Sequence, residues 1–195
     1  MRLKIIIISV FLLAAGAASA QEDFSSRFSV RVGAGLPGSG AEYFTTNVLP
    51  TSYGMDAIYG DYTGDLKTIP AISLEAYYLY NQWFRFGLDV VYCSYSNQVL
   101  SGITGEVKKN RNGQSFVFLP TAAVNYYHKG ALNLYMALGV GVGYYAGFDN
   151  MENNVAFDVQ FTPFGIEYGR KFFCFAEAGL GTAVNWVRGG IGYRF

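Results

Sequence analysis

Charge is scarce in this chain. Asp, Glu, Lys and Arg together make up 14% of its 195 residues, against roughly 25% in a typical soluble domain. Acids and bases balance at 14 each, so no basic surface is offered to a polyanion and no nucleic-acid partner is expected. Histidine occurs once, as His128, at a segment read below as a turn. Acid–base or nucleophilic catalysis built on a histidine is therefore poorly supported, and no enzyme activity, cofactor or metal site is expected. Cysteine is confined to Cys93 and Cys174. None follows the apolar N-terminal stretch, so a lipid-anchored lipoprotein is not indicated. Beyond the first twenty residues no continuous apolar run offers a membrane-spanning helix. Aromatics at 17% and 24 glycines are what the chain has in quantity. That mixture is odd for a soluble core and suits a strand-built membrane wall.

The N-terminus reads as an export signal. Arg2 and Lys4 precede an apolar stretch from Ile5 to Ala15, and Ala18-Ser19-Ala20 forms a small-residue cleavage site before Gln21. Residues 1–20 are assigned to a secretory leader and 21–195 to a single domain. The apolar stretch is short for a bilayer core about 30 Å thick, which favours a cleaved leader over a retained helix. Without Arg2 and Lys4 the remaining chain has a formal charge of −2.

From there, eight runs alternate with period two. They cover about 26–36, 71–80, 83–95, 114–127, 131–145, 155–168, 172–181 and 185–195. The fifth is the clearest: Leu132, Leu134, Met136, Leu138, Val140, Val142 and Tyr144 alternate with Asn133, Tyr135, Ala137, Gly139, Gly141 and Gly143. A bulky apolar face and a small inner face are what a narrow barrel needs. Pro163 predicts a bulge or register shift in the sixth run. The eighth sets Val187, Ile191, Tyr193 and Phe195 on one face and Arg188 and Arg194 on the other.

Short links (Asn81-Gln82, His128 to Gly130 and Gly169 to Lys171) alternate with the connections Pro37–Pro70, Ser96–Gly113, Ala146–Asn154 and the tight Thr182–Val184. Short turns at one end and longer loops at the other are the pattern of an outer-membrane barrel. Tyr80, Trp83, Phe84, Tyr126, Tyr127, Tyr168, Phe172, Tyr193 and Phe195 fall beside the short turns. Tyr92, Tyr95, Tyr144 and Tyr145 fall toward the loops. Two aromatic girdles are expected from this placement. Cys93 near the loop end facing inward, and Cys174 near the turn end facing outward, are expected to remain free thiols.

The same alternation points Arg31, Glu75, Arg85, Asp89, Glu167, Glu177, Arg188 and Arg194 inward. Four acids and four bases sealed in a lumen should pair, since an unpaired charge there costs several kcal/mol. A structural network is the favoured reading; a proton or ion path is the rival. An eight-stranded barrel has room only for its own side chains or one small ligand, so no wide pore is expected. On the longest loop, Tyr43, Phe44, Tyr53, Tyr59 and Tyr62 are candidate contact residues for an extracellular partner. The nearby acids Asp56, Asp61 and Asp65 match no calcium-loop spacing.

With this pattern in view, the chain resembles the small eight-stranded outer-membrane β-barrel proteins of Gram-negative bacteria, the porin-like group. The segments carrying the likeness are Gly192-Tyr193-Arg194-Phe195, the glycine-alternating run from Leu138 to Tyr144, and Thr162-Pro163-Phe164-Gly165-Ile166-Glu167-Tyr168-Gly169. The resemblance implies that the C-terminal strand, through Ile191, Tyr193 and Phe195, is the recognition signal for the barrel-assembly machinery. It also implies contact with outer-membrane lipid and lipopolysaccharide. The expectation is an all-β, eight-stranded antiparallel up-and-down barrel of structural or surface-interaction type. Its rivals are a barrel passing hydrophobic molecules, a lipid-modifying enzyme, and a soluble ligand-binding barrel with an apolar inside.

Overall fold

In the computed structural model, residues 27–38, 62–63, 67–101, 103–146 and 154–195 are described. They are all β: β1 Phe28–Pro37, β2 Tyr62–Thr63, β3 Lys67–Thr68, β4 Ala71–Leu79, β5 Phe84–Leu100, β6 Val107–Lys129, β7 Leu132–Ala146, β8 Asn154–Gly169, β9 Phe172–Gly181 and β10 Val184–Arg194. The expected leader, and Tyr43, Phe44, Tyr53 and Tyr59, lie outside the described residues, as does the side chain of Tyr62.

Eight long strands close a barrel in which every neighbouring pair is antiparallel. β1 pairs with β4 on one side and with β10 on the other, from Ser29↔Arg194 to Pro37↔Val184. The seam is completed by the Phe195 N–H, which donates to the Phe28 carbonyl at 2.8 Å. The two-residue strands β2 and β3 sit on the projecting part of β5.

Local chemistry explains the tight turns. The Asn81 side-chain oxygen accepts the N–H groups of Trp83 and Phe84, at 2.9 and 2.8 Å, and so closes the link from β4 to β5. Trp83 thus belongs to the turn rather than to the strand. Gly130, at φ 60°, supplies the left-handed residue between β6 and β7. The bulge expected at Pro163 is present: β8 shifts register between Phe161 and Phe164 against β9, leaving Pro163 and Phe164 both exposed. A second bulge lies where β10 meets β1, with Trp186 at φ 64° beside an equally outward Val187.

Two expectations are corrected. Ser96–Gly113 is not a loop. β5 and β6 continue as a paired hairpin, with Ser96↔Asn112 and Asn97↔Arg111 in register, and only 101–106 connects them. From Ser96 to Gln98 and from Lys108 to Asn112 the sequence is polar without a break, so apolar alternation stops while the backbone ladder continues. Tyr95 and Tyr145 do not join an outer girdle. Both are buried, 4% exposed, and face inward. Their odd-numbered positions share the inner phase of Cys93 and Gly143.

Candidate functional site

The barrel is inverted relative to a water-soluble one. Val32, Leu74, Leu88, Leu138, Val142 and Ile191 point outward, 45–58% exposed, while Arg31, Glu75 and Glu167 are completely buried. Every face assignment behind the eight inward charges holds. Seven are buried, and Arg194 lies at the short-turn mouth with its side chain 24% exposed.

These charges form one connected network. Arg31 donates through Nη2 to Glu75, its direct cross-strand partner, and through Nη1 to Tyr135 Oη at 2.7 Å and Glu167 Oε1 at 3.1 Å. Arg85 Nη1 reaches the same Glu167 oxygen at 2.6 Å. The other Glu167 oxygen accepts from Arg194 Nη2 at 2.5 Å and Asn133 Nδ2 at 3.2 Å. Arg188 donates Nε and Nη2 to Glu177 Oε2, at 2.8 and 2.6 Å, and Nη1 to Asp89 Oδ2 at 2.5 Å. Tyr135 Oη donates to Glu177 Oε1 at 2.5 Å. Asn133 Nδ2 also reaches Asn125 Oδ1 on β6 at 3.2 Å, so all eight wall strands are cross-linked through the lumen. Four carboxylates face four guanidiniums, which offsets the desolvation that an unmatched charge would suffer.

Aromatic rings form a layer between the wall and the guanidiniums. Tyr77 lies opposite Gly87, Tyr135 opposite Gly165, Phe175 opposite Gly190 and Phe173 opposite Gly192, each pair in direct cross-strand register. In each case a Cβ on the glycine would collide with the facing ring. The missing side chain makes room for a ring to lie flat on the neighbouring strand. Guanidiniums then stack on the rings: Arg31 is 4.5 Å from the Tyr77 centroid and 4.6 Å from that of Phe175. Arg85 is 4.0 Å from Tyr135, and Arg194 is 4.1 Å from Phe173.

Toward the loop end the filling turns apolar. Ala71, Val91, Val117, Leu119, Ala183 and Val184 pack as a cluster no more than 4% exposed. Beyond it Tyr95 Oη meets Ser115 Oγ at 3.0 Å, and Tyr145 Oη donates to Asp158 at 2.8 Å. Asp158, 1% exposed, is a fifth inward acid that the sequence reading omitted. The alternation of Val155, Phe157 and Phe161 around it carries the signal, obscured by the bulge at Pro163. Cys93 and Cys174 are both free.

Ile191 and Phe195 point outward, 58% and 64% exposed. Tyr193 lies between Phe172 and Phe195, with ring centroids 4.6 and 4.9 Å away. No model of a known protein family matches the chain, and no curated protein matches it.

Proposed function

We propose that this protein is an integral outer-membrane β-barrel of a Gram-negative bacterium, of structural or surface-interaction type and without a wide pore. It is exported by residues 1–20 and presents Ile191, Tyr193 and Phe195 to the barrel-assembly machinery. The observation that carries this reading is the inversion of the wall. Fully burying one large apolar side chain contributes about 1.5–3 kcal/mol. The outward residues gain that contribution in lipid and not in water. On β7 the outward apolar series runs from Leu132 to Tyr144, about 40 Å along the strand. At the usual tilt of about 40° it rises about 30 Å, the thickness of a bilayer's hydrocarbon core.

The filled lumen supports a sealed barrel over one that passes hydrophobic molecules, since the space beneath the loops holds a packed cluster and not an open funnel. An inside this charged also disfavours the soluble ligand-binding barrel. Fractionation and semi-native electrophoresis test the proposal. The protein should sediment with outer membranes and migrate faster unheated than heated. Recovery as a soluble periplasmic protein overturns it.

A further inference from the structure

The short-turn end of the barrel carries a group of cations. At the short-turn end, Arg27 precedes β1, Lys129 ends β6, and Arg170 and Lys171 form the link from β8 to β9. The one exposed acid among the described residues, Glu106, is at the opposite end. Glu22 and Asp23, the other acids near β1 in sequence, lie outside the described residues. The loop end carries both signs: Lys67 stands in β3 and Lys108, Lys109 and Arg111 at the start of β6, while the segments 39–66 and 147–153 hold Glu42, Asp56, Asp61, Asp65, Asp149 and Glu152.

Each short-turn cation sits within a few residues of an outward aromatic ring. Arg27 adjoins Phe28, Lys129 follows Tyr126 and Tyr127, and Arg170 and Lys171 lie between Tyr168 and Phe172. The turn bearing Arg170 and Lys171 is fixed in place: Arg194 Nη1 donates to the Gly169 and Arg170 carbonyls at 2.9 and 2.7 Å. Rings at the edge of an apolar belt and cations just beyond it match the order of acyl chain, glycerol and phosphate in a lipid leaflet. We propose that Arg27, Lys129, Arg170 and Lys171 form a binding surface for the headgroups of anionic phospholipids in the leaflet at the short-turn end. This rests on the reading that the apolar belt lies in a bilayer.

The chain carries its own reporter. Trp83 and Trp186 are its only tryptophans. Trp83 is 63% exposed in a short turn whose Gln82 and Trp83 carbonyls accept from Asn125, at 3.2 and 2.7 Å, on the strand that ends in Lys129. With Trp186→Phe, Trp83 fluorescence is read in phosphatidylcholine vesicles containing equal fractions of brominated phosphatidylcholine or brominated phosphatidylglycerol. The expected result is a preference of about fivefold for the anionic lipid, the weight of one cation–headgroup contact. It should fall to about one in Arg27→Gln/Lys129→Gln/Arg170→Gln/Lys171→Gln, which also removes the Arg27 cation from beside the reporter turn, where the Arg27 carbonyl accepts from Leu79 at 2.7 Å. Equal quenching by both lipids in the parent overturns the proposal, as does an undiminished preference in the folded quadruple variant. Loss of the preference on adding inorganic phosphate, but not sodium chloride of matched ionic strength, would assign the cations to free phosphate and overturns it too. Quenching by neither lipid overturns the membrane reading itself.

Discussion

Tyr135 lies against Gly165, the residue directly opposite it on β8, and a Cβ at Gly165 would collide with the ring. The ring cannot retreat into the lumen, because Arg85 stacks on it at 4.0 Å and its hydroxyl is held between Arg31 at 2.7 Å and Glu177 at 2.5 Å. Gly165→Ala should therefore cost about 1–3 kcal/mol, the usual penalty of overpacking, as read by urea unfolding in vesicles. Gly189 is the control. A Cβ there meets only the Phe175 carbonyl at 3.4 Å, so Gly189→Ala should change stability by no more than about 0.5 kcal/mol.

Glu167 is the most heavily shared anion of the lumen, with Arg31, Arg85 and Arg194 all on its two oxygens. Glu167→Gln leaves three carboxylates for four guanidiniums: Arg85 and Arg194 lose their acid partner, while Arg31 keeps Glu75. The expected loss is about 3–5 kcal/mol. Arg85→Met in the Glu167→Gln background should cost less than in the parent, with a coupling of about 0.5–3 kcal/mol in the double-mutant cycle. Strict additivity would show that the pair does not share its energy.

The faces of the wall were legible because period-two alternation survives wherever one side must be apolar and the other small or charged, as from Leu132 to Tyr144. Where consecutive residues are all polar, as around Asn97 and Asn110, the sequence looks like a loop although the ladder persists. The inward charges followed from phase alone. Their partners did not, because Arg31 and Glu167 are 136 positions apart and meet only across the lumen. The ring layer was hidden for the same reason. Gly87 and Tyr77, or Gly192 and Phe173, acquire meaning only once strand register is known. Asp158 was missed through a local irregularity, the bulge that interrupts β8 at Pro163.

Cysteine labelling tests the outward face. Cys174 points outward between Tyr168 and Ile191, its cross-strand partners on either side. Cys93 is inside, with its thiol 3.6 Å from the Ile69 carbonyl. In intact vesicles a lipid-soluble maleimide should modify Cys174, a charged maleimide should not, and neither should reach Cys93 before unfolding. Rapid modification of Cys174 by the charged reagent would contradict a lipid-facing wall.

The last residue separates assembly from stability. The Phe195 ring is 64% exposed and touches Tyr193, while the bond that closes the seam uses the Phe195 backbone N–H to Phe28. Phe195→Leu keeps that bond and an apolar side chain on the outward face and removes one aromatic pair, a loss of about 0.5–1.5 kcal/mol. Protein refolded in vitro should thus be nearly as stable as the parent. If the ring is instead an address read during biogenesis, the same variant should accumulate several-fold less folded barrel in outer membranes, with unfolded chain left in the periplasm. Equal amounts of folded protein in cells would show that Phe195 is only a wall residue. A stability loss well beyond the pair's worth would show that it is a structural clasp. Only a normal refolded barrel together with a depleted cellular one supports the assembly role.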